Sequence, residues 1–394
     1  MLQAALNRLV TPMGFELAWV LWGLPLVFML GWGASRFDLR QLRLENREAP
    51  KAYFRGLNYL LNEQQDEAID AFIEAVQNDP DTTELHFALG NLFRRRGEYD
   101  RAVRVHQHLL SRADLNQTDR HRAQHALALD YLKAGLLDHA EAALLQLVGT
   151  SFQTPAWLAL LGLYERSRDW VQAAKMATIL SEAGQGDFSQ RLAHYLCEQA
   201  ATGVSQGHLE VAQTLLRNAI SIAPNAARAW MALAQWQAQA GQLDVAWQTL
   251  VDAINNCPDA IALIARPLAD MALQAHKVSQ TLAHLQSGYA QNPSLDVLDA
   301  LVFLSARQGE AHRDWYVRHL EQTPSLVAAT KWMADEKLEH EQYHPQVQRA
   351  LEHAAQPLLR YRCAACGFEA SRHFWQCPGC QTWDSYPPRR VEEL

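Results

Sequence analysis

Four cysteines stand in two pairs near the end of the sequence, Cys363-Ala364-Ala365-Cys366 and Cys377-Pro378-Gly379-Cys380. A thiolate is a metal ligand, and a two-residue gap lets both sulfurs of one turn reach the same ion, at about 2.3 Å for zinc. Two such turns supply a closed tetrahedron with no position for a substrate. Tetrahedral sulfur suits zinc or iron, so one ion of either metal is expected. A disulfide within each pair is the competing reading. Only six cysteines occur in the chain, and four in this spacing favour a metal ribbon. Pro378-Gly379 suits a tight turn, and Gly367 is placed to turn its N–H toward a sulfur. Cys197 and Cys257 read as small buried residues.

A second pattern carries chemistry in principle. His340-Glu341-Gln342-Tyr343-His344 spells H-E-x-x-H, in which two histidines one helical turn apart hold zinc and the glutamate acts as base. Pro345 follows directly and biases His344 away from helical backbone. No third ligand is evident, so the match is read as chance. No phosphate-cradling glycine loop or nucleophile elbow is present, and no enzyme activity is expected. The formal net charge of -8 argues against nucleic-acid binding.

The elements that must position the cysteines come next. Residues 358–394 form a segment too short to be held by burial alone, so metal binding supplies most of its folding free energy. Phe368, Trp375 and Trp383 are too apolar for a free tail and are expected to fold back onto the preceding domain. That domain, 52–357, shows a period of 34: Gly56 and Gly90, Ala68 and Ala102, then Gly207, Ala212 and Pro224 against Gly241, Ala246 and Pro258. This is the period of a helix-turn-helix repeat. The first unit reads Gly56, Tyr59, Ala68, Phe72, Ala75 and Pro80, the tetratricopeptide pattern. Gly56 and Ala68 are expected where two helices approach, Tyr59 and Phe72 in the gap to the next unit, and Pro80 at the helix end. Six units are clear to about residue 258, followed by degenerate helical repeats. Stacked units leave a concave surface, and Asn91, Arg94 and Arg95 are expected to face it and grip an acidic partner segment.

At the other end, the nineteen residues from Leu17 to Ser35 carry no formal charge, enough for a transmembrane helix. Trp19, Trp22 and Trp32 suit the headgroup levels. Arg8 precedes the span, whereas Arg36, Arg40, Arg43, Arg47 and Lys51 follow it. The positive-inside rule places residues 1–16 in the periplasm and everything after the juxtamembrane linker, 36–51, in the cytosol. A reduced thiolate site agrees with that compartment.

The fold expected is therefore all-α: a tetratricopeptide superhelical solenoid with an N-terminal transmembrane helix and a small C-terminal four-cysteine domain. Tyr361 to Phe368 and Trp375 to Trp383 resemble the rubredoxin-like tail of the lipopolysaccharide assembly protein B (LapB/YciM) family, and the likeness extends to length and order of parts. Gln381 stands where a rubredoxin usually has glycine. The resemblance implies a single-pass inner-membrane adaptor for the AAA+ protease FtsH. Such an adaptor promotes degradation of the lipid A deacetylase LpxC, gathers lipopolysaccharide-synthesis enzymes and answers to inner-membrane regulatory proteins. It implies Cys363, Cys366, Cys377 and Cys380 as ligands of one iron or zinc ion. A generic scaffold or co-chaperone, and rubredoxin-like electron transfer, are the alternatives. Homo-oligomerisation is left open.

Overall fold

The computed structural model describes residues 27–32, 51–52, 54–62, 64–78, 82–309, 312–334 and 344–394. Of the apolar run at 17–35, the part described, 27–32, is helical and exposed. Among the described residues no helix is long and apolar enough to cross a membrane. The rest of that run, most of the linker, Pro80, His340 and Glu341 lie outside the described residues.

The chain divides into two compact units, 1–159 and 160–394. In the first, α1 (54–61) pairs with α2 (Gln65–Asn78), α3 (Thr83–Arg96) with α4 (Tyr99–Ser111), and α5 (Gln117–Ala134) with α6 (Leu137–Leu145). The division falls within α7 (Gln153–Ser167). In the second unit come α8 (Trp170–Glu182), α9 (Ser189–Ser205), α10 (Leu209–Ile222), α11 (Ala227–Gln239) and α12 (Leu243–Asn256). The stretch with the weakest sequence repeat continues in helices: α13 (Ile261–Gln274), α14 (Val278–Gln291), α15 (Leu295–Gln308), α16 (Asp314–Gln322), α17 (Leu326–Ala334) and α18 (His344–Ala355). A two-stranded antiparallel ribbon, β1 (Tyr361–Arg362) and β2 (Glu369–Ala370), follows.

Small residues set the helix–helix distance. Ala68, Ala102, Ala140, Ala173, Ala212 and Ala246 are all fully buried at the same place in the second helix of successive pairs. The glycines of the first helices act with a bulky partner. A Cβ on Gly56 would stand 2.9 Å from the Phe72 ring, and one on Gly90 would stand 2.5 Å from the His106 ring. Phe72 is thus spent on Gly56 of its own pair as well as on the shared core with Leu85, Leu89 and Phe93.

Turns inside the pairs that follow α1 and α2 place one residue in left-handed backbone. Gly97 (φ 84) and Gly135 (φ 79) supply it, and their N–H groups close the preceding helix. Glycine is the residue that tolerates this region. Arg168 (φ 58) and His276 (φ 57) adopt the same conformation between α7 and α8 and between α13 and α14. The largest core of the second unit spans α11 to α18 and takes in Leu358, Leu359 and Trp375 at its edge. That core is the platform under the ribbon.

Candidate metal centre

The two cysteine turns are built alike. Cys363 N–H donates to Phe368 O at 2.9 Å, and Cys377 N–H donates to Thr382 O at 2.9 Å. Gly367 N–H donates to Cys363 O at 2.9 Å, and Gln381 N–H donates to Cys377 O at 2.8 Å. Each loop is pinched by the same pair of bonds, so the sulfurs of each turn converge. Gly367 (φ 77) and Gln381 (φ 61) both sit in left-handed backbone. The second turn therefore keeps the glycine conformation without the glycine. The Gly367 amide is used on a carbonyl, and it is the Phe368 amide that faces a sulfur, that of Cys366.

Across the loops, Cys363 Sγ lies 3.8 Å from Cys380 Sγ, and Cys366 Sγ lies 3.7 Å from Cys377 Sγ. All four ligand atoms lie within 4.8 Å of one another. A tetrahedron with metal–sulfur bonds of about 2.3 Å has edges of about 3.8 Å, so the observed spacing fits one ion. A disulfide needs about 2.05 Å, and all four cysteines are free. Cys363 and Cys377 are buried, whereas Cys366 and Cys380 are exposed.

The thiols do not titrate alike. Burial opposes ionisation of Cys363, but the Ser385 hydroxyl and the amides of Cys366 and Ala365 bring it down to about 6. Cys366 gains from the Phe368 amide, yet burial and the sulfurs of Cys380, Cys363 and Cys377 push it up to about 12. The Thr382 hydroxyl and amide lower Cys380. Thiolates this close repel, so a cation among them is what lets all four ionise together. Bound there, the ion would neutralise thiolates and hold the two loops together, with Cys363, Cys366, Cys377 and Cys380 filling its tetrahedral shell.

The ribbon is locked to the helices by residues next to the ligands. Trp383 stacks on His194 of α9, with ring centroids 4.8 Å apart, and meets Trp170 and Tyr195 edge-on. Its indole N–H donates to Glu165 Oε1 at 3.0 Å. Asp384 Oδ1 lies 2.8 Å from His194 Nε2, and Asp384 itself stands in left-handed backbone at φ 51. Farther on, Arg390 forms a two-pronged ion pair with Asp296 at 2.8 and 2.6 Å. The Tyr361 hydroxyl donates to the same carboxylate at 3.1 Å. Trp375 and Trp383 thus pack against the solenoid as their apolar character demands. Phe368 does not: it is 44% exposed and lies over Gly379.

Arg94, Asn91 and Arg95 do not act as one set. The Arg94 guanidinium donates to Asp130 Oδ1 at 2.8 Å, to Ala126 O at 3.1 Å and to the Asn91 side chain. Asp130 is fully buried, and its other oxygen lies 2.5 Å from His106 Nδ1. Arg94 and Asn91 are therefore occupied by a network joining α3, α4 and α5, while Arg95 is exposed. His344 opens α18 with Pro345 in the first turn, where proline is tolerated, and its Nε2 lies 3.2 Å from Met333 O.

His194, Glu165, Asp296 and Asp384 were not singled out by the sequence. Their partners lie as far as 218 positions away for Glu165 and Trp383, beyond any local spacing signal.

Comparison with known proteins places these features in context. Residues 361–387 match the family described as a rubredoxin metal binding domain. Residues 55–107 and 202–261 match the tetratricopeptide repeat. The chain is 31% identical to lipopolysaccharide assembly protein B of Escherichia coli strain K12, over 93% of this chain and 97% of that protein. It is 26% identical to the protein of the same name from Haemophilus influenzae strain Rd, over 94% of this chain and 98% of that one.

Proposed function

Because the chain belongs to the lipopolysaccharide assembly protein B family, we propose that it regulates lipopolysaccharide synthesis as a non-enzymatic adaptor. In this reading it presents the deacetylase LpxC to the membrane protease FtsH and gathers synthesis enzymes. The observation that carries the reading is kinship along nearly the whole chain with proteins named for lipopolysaccharide assembly. Two physical features support it. Helical repeats bury one face in their neighbours and offer another to partners, and a four-thiolate site holds structure together rather than opening a coordination position.

The apolar run at 17–35 anchors the chain with its N-terminus in the periplasm and its bulk in the cytosol. Tethering adaptor and protease in one plane raises their effective concentration without any added contact. Within the repeats, Arg95 is the exposed cation of the Asn91, Arg94 and Arg95 set and the one that meets an acidic partner. Depletion of the protein should raise LpxC and lipopolysaccharide, and detergent-solubilised membranes should yield FtsH and LpxC with it. Unchanged levels of both after depletion would overturn the adaptor reading. Recovery of translocase or transferase components instead would favour a scaffold.

A further inference from the structure

A cavity of about 320 Å³ opens inside the second unit, where the ribbon meets the helices. His194 of α9, Asp259 of the 3-10 turn before α13, and His373, Trp375 and Asp384 of the ribbon line it. Among the described residues no cysteine, lysine or arginine does so. The volume suits one small ligand or one side chain.

The unspent polar groups are acceptors. Asp384 uses Oδ1 on His194 Nε2 at 2.8 Å, and its Oδ2 has no partner among the described residues. An ionised carboxylate only accepts, so the proton of that contact sits on Nε2. His194 is 1% exposed, and its Nδ1 is left a buried acceptor without a donor. Asp259 is exposed and pairs with no cation among the described residues. Arg389 lines the adjoining cavity, which shares Asp259, and donates to Asn292 Oδ1 at 2.9 Å. His373 Nε2 lies 3.0 Å from Tyr386 O, and burial holds the ring below the ordinary histidine range. Two carboxylates therefore stand here with little to offset them.

The wall beside them is aromatic. The His373 ring stands edge-on to Trp375 with centroids 4.7 Å apart, and the His194 ring lies 5.9 Å from the same indole. An indole face attracts a cation, more strongly where water is excluded. An anion would meet both carboxylates, and a neutral apolar molecule would strand them without donors.

We infer that this cavity binds an organic cation, an alkylammonium or guanidinium group held between Asp259 and Asp384 against Trp375. A free diamine carries such a group, and so does a lysine or arginine side chain of a partner. The inference does not depend on the adaptor reading.

Calorimetry on the metal-loaded full chain in detergent tests it with two probes, 1,4-diaminobutane and lysine blocked at both ends. Binding of either at one site per chain, in the millimolar range or below, supports the inference. A stronger diamine assigns the site to a free small cation, and a stronger blocked lysine assigns it to a partner's side chain. The uncharged 1,4-butanediol should not bind. Asp259→Asn combined with Asp384→Asn should weaken binding roughly tenfold. The chain should stay folded, because asparagine tolerates left-handed backbone and still offers His194 an acceptor. If that chain misfolds, Asp259→Asn alone should weaken binding about threefold. No binding of either cation, equal binding of the diol, or undiminished binding by the variant overturns the inference.

Discussion

Gln381 shows how much one residue can say when its position is known. The resemblance to a rubredoxin placed it where glycine is usual, and the backbone there is left-handed (φ 61). A non-glycine residue there costs on the order of 1 kcal/mol. The Gln381 side chain is exposed, so removing it sacrifices no packing. Gln381→Gly should therefore stabilise the ribbon by about 0.5 to 1 kcal/mol. Chelator competition should show slower metal loss, and an unchanged or faster rate would count against a strained second turn. The four ligands were legible because the chemistry lies in local spacing. The docking residues were not, because Trp383 and Glu165 or Arg390 and Asp296 meet only through the fold.

Helices follow periodicity, but their junctions follow local backbone needs. Glycine supplies the left-handed turns at Gly97, Gly207 and Gly241, whereas Arg168 and His276 adopt the same conformation with no glycine to signal it. The period also faded after residue 258, although helices continue to Ala355. Core burial there is carried by leucines and alanines in α13 and α15, whose order is less regular than a repeat motif. The alternation of small and bulky residues yields a sharp contrast. Gly90→Ala would push a methyl to 2.5 Å from His106, a buried ring tied to Asp130, and should cost about 2 kcal/mol through overpacking. Gly162→Ala, with nothing within 4 Å, should gain up to about 1 kcal/mol from helix propensity. Denaturant midpoints of the two variants, moving in opposite directions, check this.

The second unit should also respond to acid. Burial holds His319 below the ordinary histidine range, although Glu392 and Asp299 pull it upward. Its ring is hydrogen-bonded to the Tyr289 hydroxyl at 2.7 Å. The unfolded chain therefore takes up this proton before the folded one does. The stability tied to His319 is complete above about pH 6.5 and is lost as pH falls through the lower folded value. His373, also lowered by burial, works in the same direction. Glu393 and Asp299, raised by burial, oppose it, but only nearer the carboxylate range. Thermal midpoints should be level from pH 8 to 7 and drop below 6.5, with a shallower drop in His319→Asn. An equally steep profile in that variant would remove His319 from the account.

At the scale of the molecule, the ribbon and the residues after it link helices far apart in sequence. Removing the ion should loosen the cysteine turns, free Trp383 from α9 and withdraw Glu392 and Glu393 from the amides of Leu326 and Leu295 at the starts of α17 and α15. We expect cysteine-to-serine changes at Cys363 and Cys377 to lower the thermal midpoint of the second unit by several degrees or more, not only to abolish metal content. A metal-free protein with an unaltered midpoint would show that the ribbon rides on the helices without bracing them.

The placement of Glu392 and Glu393 bears on how the polypeptide is made. Leu295 and Leu326 leave the ribosome well before the two glutamates that satisfy their amides. These helix starts can therefore be closed only after residues 66 and 98 positions further along have been made.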